Sequence, residues 1–319
     1  MNYDTIVIGA GYAGLTAALK LAQGGQKVLL LATGYGATHL RTGAIDILGY
    51  HADQRVTNPL EAVAELASSQ PDHPYARVPA GALQEAVTFF TGAMAEAGYP
   101  FDGSPEANCL MPTAIGVARP VALVPHTMVA GQLQAGRAYV IVGFSNFKDF
   151  YPELLADNLQ CSYSGIQARG ATITAPGFEN RADIVPMDLA RAFDRPEFRA
   201  KLADALKPKL KSDERVGFPA VLGLDQAGVV LDDLRSRLSA EVFEIPTLPP
   251  SIPGIRIYQA FEGLLRKRGV RMQIGQAVGA VQTHDHQVEA VVVETVVRPV
   301  VYRAASFVLA TGGIVGGGL

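Results

Sequence analysis

The chain has 319 residues, 49% of them hydrophobic, 18% charged and 33 glycine, which gives length for about two domains with sizeable cores and excludes disorder, a coiled coil and collagen. Lys and Arg number 27 against 30 Asp and Glu, a net charge of −3, so no global field draws the chain to nucleic acid or an acidic membrane surface. Cys109 and Cys161 form neither a close pair nor a metal-binding spacing, which excludes a disulfide scaffold and a cysteine-ligated iron–sulfur cluster and suits a reducing cytosol.

Residues 5–8 are a short apolar, partly β-branched run suited to a buried parallel strand. After a Gly-rich turn, Leu15, Ala18, Leu19 and Ala22 recur at helical spacing, and Gly24-Gly25 ends the helix. Residues 28–31 form a second apolar strand, which completes the opening unit of a doubly wound fold. Residues 33–50 read as a loop rich in Gly and Thr, carrying His39, Arg41 and Asp46. Residues 51–136 are mixed, with a helix around 82–98. Then come a strand at 139–142, a helix at 147–159, a strand at 171–174 and a helix from about 188 to 210. An apolar stretch at 220–224, a helix near 230–238 and a strand at 242–245 complete what reads as an inserted α/β domain, 137–245. Residues 246–254 hold four prolines in nine positions, so they form a stiff junction and not the interior of a helix or strand. A helix at 255–268, stopped by Gly269, leads to strands at 272–274, 280–283, 288–295, 300–303 and 306–310. No stretch reaches the roughly 18 apolar residues of a spanning helix. Asp4 before the first apolar run, and Gly9 and Gly11 just after it, do not read as a signal peptide. No direct membrane span is expected.

The sharpest motif is Gly9-Ala10-Gly11-Tyr12-Ala13-Gly14, a GxGxxG between a strand and a helix. Its chemistry needs Gly9 for the tight turn, Gly11 for close approach of a phosphate and Gly14 for packing of the helix on the strand. The helix N-terminus then offers free N–H groups and a partial positive charge to the anion. Dinucleotide sites usually end the second strand with Asp or Glu, for the adenosine ribose. Here that position is Ala32, so either Thr33 or backbone replaces the acid or there is no adenosine half. A strand ending in Ala310-Thr311-Gly312, far downstream of the glycine motif, brings small residues back beside a cofactor and favours a flavin over nicotinamide. The expected fold is α/β: a Rossmann-like, two-dinucleotide-binding flavoprotein domain of the glutathione-reductase type made of 1–136 and 246–319, with 137–245 inserted.

Several isolated residues have both a functional and a plain reading. His39 stands where some flavoproteins anchor flavin covalently, and also where a solvated or hydrogen-bonding His is ordinary. His126 is a candidate for catalysis. His284 and His286 flank Asp285 in what reads as a polar hairpin, with no third metal ligand in view. Lys201, Lys207, Lys209 and Lys211 form a solvated basic face or a docking face. Arg256 follows Gly254, where the proline loop enters a helix. Its guanidinium can make two parallel bonds to the flavin phosphate, to a substrate phosphate, or to a structural Asp or Glu. No metal site and no catalytic base stand out.

With these residues read, the chain resembles the B-subunit family of anaerobic glycerol-3-phosphate dehydrogenase. The opening residues 3–11 match in style but are shared by many flavoproteins. More specific are Ala37-Thr38-His39-Leu40 through Thr42-Gly43-Ala44-Ile45-Asp46-Ile47-Leu48, then His73-Pro74-Tyr75, and above all Pro246-Thr247-Leu248-Pro249-Pro250-Ser251 with Gly254-Ile255-Arg256. The resemblance implies a complex of three proteins. This flavoprotein works beside an FAD-containing A subunit, and an iron–sulfur C subunit ties both to the inner face of the cytoplasmic membrane. Together they oxidise sn-glycerol 3-phosphate to dihydroxyacetone phosphate and pass electrons to a quinone. The cofactor implied is FMN, with FAD as the alternative; FMN has no adenosine ribose and agrees with Ala32. The cofactor-binding residues expected are Gly9, Gly11, Gly14, Thr33, Thr42, Gly43, Thr311 and Gly312. The resemblance also implies a chain incomplete at its C-terminus, since 316–319 follow almost directly on the Ala-Thr-Gly strand. Two readings stay open beside the dehydrogenase flavoprotein: an electron-relay or scaffold member of the same complex, and a free-standing FAD-dependent oxidoreductase of the fumarate-reductase type.

Overall fold

A computed structural model describes residues 2–295 and 298–313. The expectation about residues 316–319 lies outside the described residues. The chain divides into two compact units, Met1–His39 with Ile257–Leu319, and Leu40–Arg256.

The first unit is built on a six-stranded sheet in the order Arg271–Ile274, Val28–Ala32, Asn2–Ile8, Val300–Leu309, Gln287–Val293, Val278–His284. The first four strands run parallel and the last two join antiparallel. Continuous apolar sequence marks strands covered on both faces, and every residue of Val28–Ala32 is buried. The Tyr12–Gln23 helix buries Leu15, Ala18 and Leu19. The two strands expected at 300–303 and 306–310 are one, Val300–Leu309. Ala304 and Ala305 are weak strand formers, but its backbone pairs with Asn2–Ile8 on one side and Gln287–Val293 on the other. His284, Asp285 and His286 form the tight turn between Val278–His284 and Gln287–Val293, with Asp285 at φ 45° and His286 at φ 62°.

The second unit holds a four-stranded parallel sheet, Gln167–Ile173, Ala138–Phe144, Glu214–Pro219, Val242–Ile245. Tyr139, Phe193, Phe218 and Phe243 are among the side chains closed in its core. The sequence reading separated this sheet from residues 40–136, but these residues belong to the same compact unit. Arg215 donates to the Ala130 carbonyl at 3.1 Å, Asn158 to the Ile115 carbonyl at 2.9 Å and Ser162 to the Gly116 carbonyl at 2.9 Å. Such bonds join segments far apart in sequence, where composition shows no trace of them.

Local chemistry moves other boundaries. The helix expected at 147–159 is Pro152–Ser162 with proline in its first turn, and Phe147 and Phe150 before it are core side chains. The helix expected over 188–210 is two, Pro186–Phe193 and Pro196–Leu206. Asp194 sits at the break, and its carboxylate accepts from the backbone N–H groups of Leu224 and Gln226 at 2.9 and 3.2 Å. The helix after the proline loop starts earlier than expected, at Ile252, and runs to Lys267.

Candidate cofactor-binding site

In the first unit, Ile8 stands opposite both Leu31 and Leu309, so three parallel strands finish side by side. Ligands of open α/β sheets bind outside such carboxyl ends. The loops leaving them carry Gly9, Gly11 and Gly14, Thr33, and Thr311 with Gly312.

The three motif glycines do different work. Gly9 has φ +116°, and a Cβ on it would lie 2.1 Å from the carbonyl oxygen of Ala310. A Cβ on Gly14 would lie 1.9 Å from the Gly9 carbonyl oxygen. Both are demanded by contact with backbone. Gly11 is extended, at φ −76° and ψ −179°, and caps the Tyr12–Gln23 helix with no side-chain bond. A Cβ on it would meet no heavy atom within 4 Å. Its bareness therefore serves space in front of a helix N-terminus, and no acidic residue occupies the first turn. The first N–H groups of a helix have no partner within it and carry partial positive charge, so a phosphate is favoured there. Gly36, which the motif reading missed, comes close to this turn: its Cβ would stand 2.9 Å from Gly11 Cα.

At the end of the second strand Ala32 is buried, and its carbonyl accepts from the N–H groups of Gly275 and Gln276 at 2.8 and 3.2 Å. Thr33 beyond it is exposed. No carboxylate stands at that position to hold a ribose.

The loop after Thr33 provides a further test of fit. Thr38 Oγ1 and His39 Nε2 are closed to water without a hydrogen-bond partner. Leaving such an atom unmet costs about 1–3 kcal/mol, a cost that a bound polar group removes. His39 stacks on Tyr35 at 4.9 Å between ring centroids and meets Tyr258 edge-on at 5.4 Å. Burial lowers the pKa of His39, which favours the neutral ring and leaves Nε2 fit to donate or accept. Burial, then Glu262 and Tyr35, push Tyr258 up to about 12. The open helix N-terminus, the glycine-lined strand ends and the two unmet polar atoms together fit a dinucleotide.

The other expected residues belong to the second unit or are used otherwise. Thr42 and Gly43 belong to the second unit. There Thr42 lines a cavity; Gly43 has φ +88°, and its Cβ would lie 2.6 Å from Pro253 Cβ. Arg256 is 4% exposed, inside the second unit. It bonds Glu244 through Nη1–Oε2 at 2.7 Å and Nη2–Oε1 at 3.0 Å, Gly223 carbonyl through Nε at 2.8 Å and through Nη2, and Tyr99 hydroxyl through Nη1 at 3.4 Å. All five of its N–H groups are engaged. Of the three partners considered for Arg256, the geometry supplies the structural carboxylate and leaves no donor for a phosphate.

His126 Nδ1 lies 2.8 Å from Asp102 Oδ2, both about half exposed, a pair that fixes the ring orientation. Lys201, Lys207, Lys209 and Lys211 are all exposed. Among the described residues no group of three or more His, Cys, Asp or Glu could hold a metal.

Residues 4–272 match a family of FAD binding domains. A protein of Halobacterium salinarum, named as the probable B subunit of anaerobic glycerol-3-phosphate dehydrogenase, is 34% identical over 99% of this chain and 75% of its own length. The protein of Pectobacterium carotovorum named as the B subunit of anaerobic glycerol-3-phosphate dehydrogenase is 32% identical over all of this chain and 77% of its own. A crystal structure of 3-ketosteroid Δ1-dehydrogenase from Sterolibacterium denitrificans aligns with TM-score 0.46 and 15% identity, covering 98% of this chain and 48% of that one. The domain match supports FAD as the flavin; it does not support FMN, the first choice from the resemblance.

Proposed function

Since the chain belongs to the FAD-binding-domain family and to the B-subunit family of anaerobic glycerol-3-phosphate dehydrogenase, we propose that it is the flavin-carrying member through which sn-glycerol 3-phosphate is oxidised to dihydroxyacetone phosphate. FAD is the flavin proposed, and bound flavin supplies the two-electron acceptor that no amino-acid side chain provides. The chain's own residues hold it. The N–H groups following Gly11 take a phosphate, Gly9 and Gly14 keep the turn tight enough to present them, and Thr311-Gly312 pass beside it without bulk. Thr38 and His39 give the loop after the second strand two polar atoms to spend on the cofactor. With Ala32 at the strand end, the adenosine ribose is met by Thr33 or by backbone, not by a carboxylate.

Partners are part of this reading. The relatives are named as one component of a larger dehydrogenase. We place an FAD-containing A subunit and an iron–sulfur C subunit beside this chain, with the latter passing electrons to quinone and holding the assembly at the inner face of the membrane. Among the described residues no helix is long and apolar enough to cross a membrane.

The observation that carries the proposal is the protein-free space at Gly11 in front of the Tyr12–Gln23 helix. Heat release and chromatography of the cofactor from purified protein test it. FAD supports the reading, FMN overturns the choice of flavin, and absence of flavin from folded protein overturns the binding site. Anaerobic addition of sn-glycerol 3-phosphate to the assembled complex should bleach the flavin of this chain. A flavin that stays oxidised while the complex turns over would remove this chain from the path of electrons.

A further inference from the structure

The parallel sheet of the second unit reads Gln167–Ile173, Ala138–Phe144, Glu214–Pro219, Val242–Ile245 across its width, so the second strand in chain order lies on one side of the first and the third on the other. Ligands of open α/β sheets bind outside the carboxyl ends at such a reversal. Two buried or engaged side chains gather one group of residues there. Asn146, just past Ala138–Phe144 and buried, donates through Nδ2 to the Phe178 and Arg181 carbonyls at 2.8 and 3.4 Å. Asp194 accepts from the Leu224 and Gln226 N–H groups, just past Glu214–Pro219, at 2.9 and 3.2 Å. The loops on either side of the reversal are thereby tied to Phe178 and Arg181 and to the residue preceding Arg195. Phe178, Arg181, Asp188, Arg191, Ala192 and Arg195 line a hollow of about 310 Å³, at the small end of the roughly 300–1,000 Å³ of ligand pockets.

Phe178 and Ala192 are buried in this lining. The three guanidiniums come from three places: the loop after Gln167–Ile173, the Pro186–Phe193 helix, and the break that follows that helix. Asp188 takes Nη1 of Arg181 at 2.8 Å, and the Arg181 guanidinium lies 5.4 Å from the centre of the Phe178 ring. Among the described residues, Asp188 is the one carboxylate of the lining, and the exposed Arg191 and Arg195 side chains have neither a hydrogen bond nor an ion pair. Three positive charges against one negative leave two uncompensated around a single hollow.

We propose that this hollow is an anion site that takes a diphosphate group. All its residues belong to the second unit, and it is separate from the Gly11 turn proposed for the flavin phosphate. Each planar guanidinium offers two parallel donors to phosphate oxygens. A carboxylate presents two oxygens in one plane. Two linked tetrahedral phosphoryl groups present oxygens in all directions, so forks from three segments meet them at once. Arg181 is already oriented by Asp188 and Phe178, while Arg191 and Arg195 keep all their side-chain N–H groups for the ligand. Their exposure keeps the cost of removing water from these charges small.

Calorimetric titration of the purified flavin-containing chain with inorganic pyrophosphate, in buffer free of phosphate and divalent metal, tests the assignment. Wild type should bind one pyrophosphate per chain, with inorganic phosphate and malonate each at least about tenfold weaker, as expected for fewer charge-assisted bonds. The double variant Arg191→Gln, Arg195→Gln should weaken pyrophosphate at least about tenfold on the same grounds. Arg191→Lys, which keeps the charge and loses the fork, should fall between. The double variant Lys207→Gln, Lys209→Gln removes as much charge from another exposed basic stretch and should bind as wild type, which separates a site from general attraction of anions. Gly11→Asp should also bind as wild type, which separates this hollow from the cofactor site. Wild type that gives no heat, an arginine double variant with unchanged affinity, an equal loss in the lysine double variant, a loss in Gly11→Asp, or phosphate or malonate as tight as pyrophosphate each overturns the proposal. If circular dichroism shows the arginine double variant unfolded, Arg191→Gln and Arg195→Gln singly decide, each expected to weaken pyrophosphate and leave the fold intact.

Discussion

Arg256 and Glu244 make a two-point ion pair, 2.7 and 3.0 Å, with the guanidinium 3% exposed and the carboxylate fully buried. Glu244 Oε1 also accepts from the Leu222 N–H at 2.7 Å, and the Arg256 guanidinium lies 5.8 Å from the centre of the Tyr99 ring. One carboxylate and one guanidinium thereby tie the Val242–Ile245 strand, the 222–223 turn and the start of the Ile252–Lys267 helix together. Burial disfavours the charged guanidinium, but Glu244 overrides it and holds the Arg256 pKa above its ordinary value.

Breaking a buried pair from one side leaves the other charge unmet, at about 3–5 kcal/mol. Glu244→Gln should lose that much stability in urea unfolding. Arg256→Lys should also be costly, because an ammonium cannot reproduce the fork. In whatever fraction stays folded, flavin content and affinity for sn-glycerol 3-phosphate should match wild type, since the N–H groups of Arg256 are already spent on Glu244, Gly223 and Tyr99. A stable Arg256→Lys protein with selectively lost affinity for either would return Arg256 to the binding site.

The glycine motif predicts a graded series. Gly14→Ala puts a methyl 1.9 Å from the Gly9 carbonyl oxygen, so the helix must move off the strand, and both melting temperature and flavin content should fall. Gly11→Ala meets open space and should stay within about 1 kcal/mol of wild type in stability. Thermal melts of the two variants side by side check the contrast. Equal melting temperatures for both would mean that Gly14 is not packed as described.

The second unit carries an acid-sensitive pair. Arg169 donates to both oxygens of Glu214 at 2.6 Å, and the Lys211 N–H adds a bond at 2.9 Å. Burial alone would raise the Glu214 pKa, but these bonds override it and hold the group below its ordinary 4.5. A carboxylate with a depressed folded pKa adds stability above the unfolded value, and that stability is lost as pH falls through the folded value. The stability gap between wild type and Glu214→Gln should therefore be full near neutral pH and shrink once pH drops below about 4.5. Denaturation curves across that range check the sign; a gap that widens on acidification would contradict it.

The opening strand–turn–helix–strand is legible because its signals are local. Apolar runs mark the strands, Leu15, Ala18 and Leu19 mark the helix face, and glycine spacing marks the turn. What sequence hides is long-range. Residues 51–136 read as a mixed part of the flavin-binding domain because the bonds that join them to the second sheet, such as Arg215 to Ala130, leave no local pattern. The break at Asp194 depends on a side chain that caps residues thirty positions away. Arg256 is recognisable as a fork at a helix start, but its partner depends on where the Val242–Ile245 strand runs. The unmet atoms of Thr38 and His39 exist only once neighbours have closed around them.

The proposed function stands on a flavin phosphate at the helix N-terminus behind Gly11. Gly11→Asp probes that placement, because the open space there lets the side chain fit while its carboxylate opposes a phosphate by like charge and bulk. The measurement is flavin bound per folded chain in purified wild type and variant, with folding confirmed by circular dichroism. The expected result is a yellow wild type and a folded, colourless variant. A folded Gly11→Asp protein that keeps the wild-type flavin content would contradict it.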